Sequence, residues 1–327
     1  MSRRFIAQLG ENENLDEVFL VAEKQLRANR NGNLYLQVRL TDKTGSMIGM
    51  MWNSNDRVYA SFETGDYLRV EGATQVYNGN LQVILNHVEK TVLEKVDEAD
   101  FATLTTDDVD RLVASVSRHL RALGDHHLHN LAECFLMDET FMAKYSTAPA
   151  GIKLHHAYKG GLIEHVISLM DLCASVGAHY GVVDTDLLVM GAFLHDVGKI
   201  DELSFERELS YSDAGQMIGH VVQGVGILDT KVREAEQLSG EPFPKELHLR
   251  LQHMIVSHHG QYEYGSPKLP MTLEAITLHF LDNLDSKIQS VTQIINEDAN
   301  ADSNWTSYNP ALGRKLFKTI ESEPRVE

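Results

Sequence analysis

The chain has 327 residues, of which 43% are hydrophobic and 23% are charged. This balance is typical of a folded globular protein and unlike that of a disordered or fibrous chain, and the length predicts about two domains. The formal net charge of −18 at pH 7 argues against a protein that coats polyanions nonspecifically.

Three absences in the sequence narrow the class of protein further. No run approaches the roughly 18–20 apolar residues of a membrane span, so no membrane association is expected. No signal peptide is expected, because Glu11 and Glu13 lie where a signal peptide would need apolar residues. The only cysteines, Cys134 and Cys173, exclude a disulfide framework and a cysteine-rich zinc site. We therefore expect a cytoplasmic protein.

The charge is unevenly distributed along the chain. Residues 1–90 contain ten Lys/Arg and eleven Asp/Glu, so almost all of the acidic excess lies in residues 91–327. Net charge therefore does not exclude a nucleic-acid site in the first part. The second part is rich in carboxylates that suit the binding of cations.

Short strand-like runs dominate the first ninety residues. In Leu34–Leu40 the leucines and Val38 share one face, and Tyr35 and Arg39 lie on the other. Asn78-Gly79 predicts a two-residue hairpin turn, because both positions need positive φ. The other predicted strands are Glu17–Lys24, Ser46–Trp52, Tyr67–Glu71, Gln75–Tyr77 and Leu81–Leu85. Together they favour a small closed barrel of the OB type, because closure removes exposed strand edges.

The outward face of the strand Leu34–Leu40 suggests what such a barrel binds. Tyr35 and Arg39 place an aromatic ring and a guanidinium near each other on that face. Stacking of a base on an exposed ring, with a cation close to the phosphates, is typical of single-strand binding. The alternative is that Tyr35 only covers the strand surface.

Beyond the barrel the sequence turns helical. An acidic connector runs from Thr91 to Thr106, and Thr105 or Thr106 is a candidate N-cap for a helix over Asp107–Leu123. From there to the end of the chain the apolar residues follow a helical period, with Gly or Pro at the breaks.

Histidine and aspartate side chains recur at positions of the second part that should face a core. The apolar run Leu187–Leu194 ends in His195-Asp196, and an unpaired buried carboxylate there would be very costly. A divalent cation would compensate it. The candidate ligands are His165, His195, Asp196, His220, His258 and Asp282, with His259 as an alternative. Each histidine alone could be an ordinary hydrogen-bonded core residue. That interpretation does not hold for the whole set, because a core with so many unpaired imidazoles and carboxylates would be unstable.

The donor types indicate which ions suit these residues. Mixed imidazole and carboxylate ligands favour Mn, Fe, Co, Ni or Zn over Mg or Ca. A catalytic ion that keeps an open position for water uses fewer ligands than this set provides. We therefore expect two ions, bridged by Asp196.

The order of these histidines and aspartates along the chain resembles that of a known family. A pattern of His, then His-Asp, then Asp across helices is the signature of HD-domain metal-dependent phosphohydrolases, and His220 and His258 match members that hold two metals. The stretches His155–His165, Leu194–Ile200 and Ser257–Pro267 are similar to those of the YhaM-type 3′→5′ exoribonucleases. That family also places an OB-type domain ahead of the HD domain.

The resemblance implies a domain organisation. It predicts an all-β OB-type nucleic-acid-binding domain over residues 1–92, a helical connector over 93–148 and an all-α HD domain over 149–296. The remaining residues, 297–327, are predicted to form a tail that docks on the HD domain.

The resemblance also implies an activity and its residues. Two divalent ions, with Mn the leading candidate, would activate water for in-line attack at the 3′ end of single-stranded RNA, releasing nucleoside 5′-monophosphates. The predicted catalytic residues are Asp196 and Lys199, the latter pairing a phosphate oxygen; the alternative for Lys199 is a cation that stabilises a helix C-terminus. The predicted substrate contacts are His155, His156, Tyr262, Tyr264, Lys268, Tyr35 and Arg39.

Two other functions remain open at this level. The HD domain could instead serve a nucleotidase or a cyclic-nucleotide phosphodiesterase. A non-enzymatic alternative is a nucleic-acid-binding module with a vestigial HD domain. Single-stranded DNA as a second substrate and homo-oligomerisation also stay open.

Overall fold

The computed structural model describes residues 3–29, 31–77, 80–92, 96–101, 104–151, 158–204, 210–296, 298 and 303–318, and every structural statement below concerns these residues. The chain divides into two compact units, Met1–Thr103 with Ser290–Glu327, and Leu104–Gln289. Two predicted substrate contacts, His155 and His156, and the predicted turn Asn78-Gly79 lie outside the described residues.

A five-stranded closed barrel forms most of the first unit. Its strands are β1 (Asn14–Ala28), β2 (Leu34–Asp42), β3 (Gly45–Trp52), β4 (Tyr67–Tyr77) and β5 (Asn80–Lys90), joined in the order β1-β2-β3-β5-β4. Neighbouring strands are antiparallel except for β3 and β5, which are parallel. A four-residue helix α1 (Asp56–Tyr59) follows β3. The predicted OB-type barrel is confirmed.

Alternating side chains of the strands fill the barrel. Leu36, Val38 and Leu40 of β2 are completely buried, as the alternation predicted. They pack with Phe19 of β1 and Leu68 of β4. Asp42, the next residue on this face of β2, is also buried, and its Oδ2 accepts a hydrogen bond from the Ile6 backbone N–H at 2.7 Å. Tyr35 and Arg39 point to the other face, where both are partly exposed.

One strand differs from its prediction. The runs Tyr67–Glu71 and Gln75–Tyr77 form a single strand, β4, which passes through Gly72 with a shift in register. A Cβ atom at Gly72 would lie 2.2 Å from the backbone oxygen of Ile84. The glycine therefore allows close approach of β4 and β5 at a bulge, rather than ending a strand.

The second unit is helical. Its elements are α2 (Thr106–Arg121), α3 (His126–Leu136), α4 (Glu139–Thr147), α5 (Gly161–His179), α6 (Thr185–Leu194), α7 (Lys199–Glu202), a short hairpin of β6 (Leu203–Ser204) and β7 (Ser210–Tyr211), α8 (Asp213–Ser239), α9 (Lys245–Ser257) and α10 (Leu273–Asn296), whose last residues belong to the first unit. The predicted first helix begins as expected, because the Thr105 hydroxyl accepts a hydrogen bond from the Asp108 backbone N–H.

Two apolar helices form the centre of this unit. Every residue of α6 from Leu187 to Leu194 is buried. α5 is long and apolar enough to cross a membrane by length and composition, but 56% of its most apolar window is buried inside the protein. Leu162, Val166 and Leu169 of α5 are among the completely buried residues, as expected of a core helix.

The C-terminal residues were predicted to dock on the helical domain. In the division of the chain into two units, Ser290–Glu327 group with Met1–Thr103. The docking of residues 297–327 on the helical domain stays a prediction. The predicted boundaries after residues 92, 148 and 296 remain predictions.

Candidate metal centre

His165 stands between two carboxylates. It is a buried residue of α5, in the turn that follows the helix start at Gly161. Its Nδ1 atom lies 2.8 Å from Oδ2 of Asp285, and its Nε2 atom lies 3.3 Å from Oδ1 of Asp282. Both aspartates come from α10, where a spacing of three residues puts them on the same face.

His195 and Asp196 follow directly after α6. The Nδ1–H of His195 donates to the backbone oxygen of Ala192 at 2.8 Å. Because a carbonyl oxygen only accepts, Nδ1 must carry a proton. In this tautomer Nε2 has a free lone pair on the opposite side of the ring. That atom lies 3.2 Å from Oδ2 of Asp196.

His220 is placed by a break in helix α8. Gly219 has φ 71° and ψ 162°, a backbone conformation that favours glycine. After this kink, the backbone N–H and Nδ1 of His220 both lie 2.9 Å from Oε1 of Glu202. Nε2 of His220 then lies 3.5 Å from Oδ1 of Asp196.

His258 caps the C-terminus of α9. Its Nδ1–H donates to the backbone oxygen of Ile255 at 2.7 Å, and its Nε2 lies 3.6 Å from Oδ1 of Asp196. His279 contacts the backbone of this segment, with its Nδ1 2.8 Å from the backbone oxygen of His258. A Cβ atom at Gly260 would lie 2.1 Å from the His279 ring, so that position requires glycine.

The predicted ligands come together in two clusters. In each cluster, the three candidate ligand atoms lie within 4.8 Å of one another. The first cluster is His165, His195 and Asp282, and the second is His220, His258 and His259. Asp196 contacts both, because its two oxygens face His195 on one side and His220 and His258 on the other.

Without a cation this arrangement is electrostatically unfavourable. Nε2 of His195, His220 and His258 and Oδ1 of Asp196 are buried and have no hydrogen-bond partner among the described residues. Three imidazole lone pairs thus face one carboxylate, all of them acceptors. Buried acceptors without a partner are costly, and a metal ion satisfies lone pairs of this kind. The residues present therefore fit the divalent metal that the sequence predicted.

The protonation states suit metal binding. Burial alone would raise the pKa of the Asp196 carboxyl, but the Lys199 ammonium beside it holds that pKa well below its usual range. Burial, together with the neighbouring His258, lowers the pKa of His259 to about 3. Burial also works to lower the pKa of His165, but hydrogen bonds with Asp282 and Asp285 raise it to about 9. His165 would therefore release a proton when it binds a metal.

Lys199 places a cation beside Asp196. It is the first residue of α7, and its Nζ lies 2.7 Å from Oδ2 of Asp196 while donating to the backbone oxygen of Ala150 at 2.6 Å. A cavity of about 220 Å³ opens here, and its lining residues are Ala150, His165, Asp196, Lys199, His258, His259, Asp282 and Ser286. The centre is thus accessible to a small substrate group.

Comparison with known proteins identifies the families of both domains. Residues 162–287 match the family model of the HD domain, and residues 20–91 match that of the OB-fold nucleic acid binding domain. The 3′-5′ exoribonuclease YhaM of Bacillus subtilis is 30% identical over 284 residues, covering 86% of this chain and 88% of that protein. The chain belongs to the YhaM family of 3′-5′ exoribonucleases. The resemblance drawn from the sequence is confirmed.

Other YhaM relatives align over a similar length. The protein of Bacillus velezensis is 30% identical over 277 residues, covering 84% of this chain and 86% of its own. That of Halalkalibacterium halodurans is 28% identical over 285 residues, covering 86% of both chains. The similarity thus includes both the OB-type barrel and the HD domain.

Several predicted substrate contacts of this YhaM-family chain are not among the residues that line the cavity. Tyr262 and Tyr264 are each 62% exposed in a short 3₁₀ turn, and Lys268 is exposed after it. On the barrel, the Tyr35 ring lies 5.4 Å from that of Trp52, and Nε of Arg39 lies 3.6 Å from Oε1 of Glu23. Their roles remain proposals.

Three residues of interest were not assigned from the sequence. Trp52 is half exposed and pairs with Tyr35 across β2 and β3. Its position at the end of an alternating strand was the available signal. Glu202 and Asp285 hydrogen-bond histidine ligands that are distant along the chain. Asp285 shares a helix face with Asp282, but no periodicity connects Glu202 to His220, eighteen positions later.

Proposed function

We propose that this chain is a metal-dependent 3′→5′ exoribonuclease that hydrolyses single-stranded RNA from its 3′ end to nucleoside 5′-monophosphates. The observation that carries the proposal is the convergence of imidazole lone pairs on the Asp196 carboxylate. Membership of the YhaM family and the presence of an OB-type barrel support RNA as the substrate.

Two divalent ions would occupy the centre. His165, His195 and Asp282 would hold the first, His220 and His258 the second, with Asp196 shared between them and His259 a further ligand of the second. When bound, such ions lower the pKa of water to near neutrality and neutralise charge on the phosphate. The mixed imidazole and carboxylate donors suit a first-row transition metal; Mn is the proposed ion, with Co, Fe, Ni and Zn as alternatives.

Lys199 would bind the substrate phosphate. Its ammonium is fixed by Asp196 and the Ala150 carbonyl, and it lines the cavity. A lysine acts on a phosphate as a point charge, and Nζ would pair a non-bridging oxygen of a phosphate bound in the cavity. Because Asp196 binds it beforehand, little side-chain entropy is lost when the substrate arrives.

The barrel would bind the single strand. The Tyr35 and Trp52 rings offer two adjacent aromatic surfaces, and Arg39 lies four residues after Tyr35 on the same face of β2. Stacking and phosphate contacts of this kind tolerate any base sequence, and they also suit single-stranded DNA. His155, His156, Tyr262, Tyr264 and Lys268 are proposed contacts of the 3′-terminal nucleotides. We also propose a cytoplasmic location.

The test uses an oligoribonucleotide labelled at its 5′ end, with Mn²⁺ present. The wild type should give a ladder of shortening labelled fragments and release nucleoside 5′-monophosphates, and a 3′-phosphate on the RNA should slow it. A wild type that contains bound metal but leaves this RNA intact would overturn the proposal. Rapid hydrolysis of mononucleotides or cyclic dinucleotides instead would identify the nucleotidase or phosphodiesterase alternative.

A further inference from the structure

Four of the five histidines in the two clusters have Nδ1 bonded to a protein oxygen, in two different ways. Each cluster contains one histidine whose Nδ1 is bonded to a backbone carbonyl, His195 in the first and His258 in the second. Each also contains one whose Nδ1 is bonded to a carboxylate, His165 in the first and His220 in the second. The carboxylates belong to Asp285 and Glu202, and neither of them is among the ligand candidates.

Asp285 supports the first cluster. Its side chain is buried, with one oxygen 2.8 Å from Nδ1 of His165 and the other 2.5 Å from the Ser168 hydroxyl. Asp282 lies one turn earlier on α10 and faces the opposite nitrogen of the same ring. One helix therefore holds the His165 imidazole at both nitrogens, and the Nδ1 bond leaves Nε2 facing the centre.

Glu202 supports the second cluster. Its Oε1 atom is bonded to both the backbone N–H and Nδ1 of His220. Its backbone oxygen accepts from the Ser212 N–H at 2.9 Å, and a Cβ atom at Gly215 would lie 2.2 Å from the same oxygen. The start of α8 is thus packed directly on Glu202, and the kink at Gly219 returns His220 to its carboxylate.

The two clusters also differ in charge. The first contains the carboxylate of Asp282, whereas the second consists of three imidazoles and has only a share in Asp196. Glu202 supplies negative charge behind the second cluster. A carboxylate bonded to the far nitrogen of a histidine makes that histidine a stronger metal ligand and fixes its tautomer.

We propose that Asp285 and Glu202 are positioning residues, each serving one half of a dinuclear centre. Asp285 orients His165 for the ion held with His195 and Asp282, and Glu202 orients His220 for the ion held with His258. The inference rests on the metal centre of the proposed function, and it assigns the two carboxylates to separate ions.

The test is calorimetric titration of the full chain, freed of metal, with Mn²⁺. The wild type should bind two equivalents. Glu202→Ala should weaken one equivalent by about 10- to 100-fold and leave the other unchanged, and Asp285→Ala should do the same. Each substitution is then repeated in a variant that has lost a ligand of one site, so that the single remaining Mn²⁺ is known to occupy the other site. In a His220→Ala background, adding Asp285→Ala should weaken the remaining equivalent, and adding Glu202→Ala should not. In a His165→Ala background the two results should be exchanged.

Conservative variants separate positioning from simple loss of structure. Glu202→Gln and Asp285→Asn keep an acceptor oxygen, and they should recover part of the Mn²⁺ affinity that the alanine variants lose. Glu274→Ala is the matched control. It removes a buried carboxylate of the same helix as Asp285, one that is bonded to the Asp184 N–H and to Arg250. It should lower stability and leave both Mn²⁺ affinities unchanged.

Equal weakening of both equivalents by either substitution would overturn the assignment, as would unchanged affinity in Glu202→Ala and Asp285→Ala. The titration is independent of catalysis. A protein that shows the expected pattern of Mn²⁺ binding but does not degrade RNA would overturn the proposed function and leave this inference standing.

Discussion

The barrel and the helical domain carry their candidate functional groups in opposite environments. On the barrel, Tyr35, Arg39 and Trp52 lie on the outer surface, in contact with solvent. In the helical domain, His165, His195, Asp196 and His258 are all buried. Exposed groups contribute separately and modestly, whereas buried polar groups depend on one another for their partners. Substitutions should therefore reduce function by degrees in the barrel and abruptly in the metal centre.

The largest effect is expected from Asp196→Ala. This substitution removes the carboxylate that both histidine clusters face. Loss of one electrostatic contact typically lowers kcat by about 10²–10³-fold, and we expect the loss here to be at least about 10³-fold. The measurement is the rate of RNA degradation, with Mn²⁺ content determined in parallel. Near-normal activity would show that Asp196 is not the shared ligand.

Lys199→Met should follow, with kcat lower by about 10²-fold, because the substitution removes one fixed cation from the phosphate site. Mn²⁺ binding should persist. The matched control is Lys144→Met, which removes a surface lysine paired with Asp201. If the two variants degraded RNA equally fast, Lys199 would be a structural partner of Asp196 only.

A smaller effect is expected on the barrel. Trp52→Ala and Tyr35→Ala should each weaken binding of an oligoribonucleotide by about 1–3 kcal/mol, the usual contribution of one stacked base. KM should rise while kcat at saturation stays constant. Tyr77→Ala removes another exposed tyrosine, at the end of β4, and serves as the control. Equal losses in all three variants would mean that the Tyr35–Trp52 surface is not a specific binding site.

The smallest effect concerns stability alone. Thr105→Ala removes the hydroxyl that caps α2, and it should lower the free energy of unfolding by about 1 kcal/mol. Thr106→Ala, one residue later and inside the helix, should cost less. Oligoribonucleotide affinity should be the same in both variants. A change in affinity would link the helical domain to the binding surface that we assign to the barrel.

The sequence was informative wherever a local pattern has one physical meaning. Alternation in β2 marked Leu36, Val38 and Leu40 as buried, because successive side chains of a strand face opposite sides. A glycine has two meanings, however. The sequence predicts separate strands on either side of Gly72, Tyr67–Glu71 and Gln75–Tyr77, but the glycine accommodates a bulge within the single strand β4. The distinction depends on Ile84 of the partner strand, which no local pattern reveals.

For the metal centre, composition and spacing were enough to identify the ligand candidates. Histidines and aspartates embedded in apolar helices need compensation when they are buried, and this requirement can be recognised from the sequence. The sequence does not reveal which ring nitrogen of each histidine faces the centre. The orientation of His220 depends on Glu202 and on the kink at Gly219, and that of His165 on Asp285, 120 positions away. Tautomer and direction are set by hydrogen bonds between helices, so only the tertiary structure decides them.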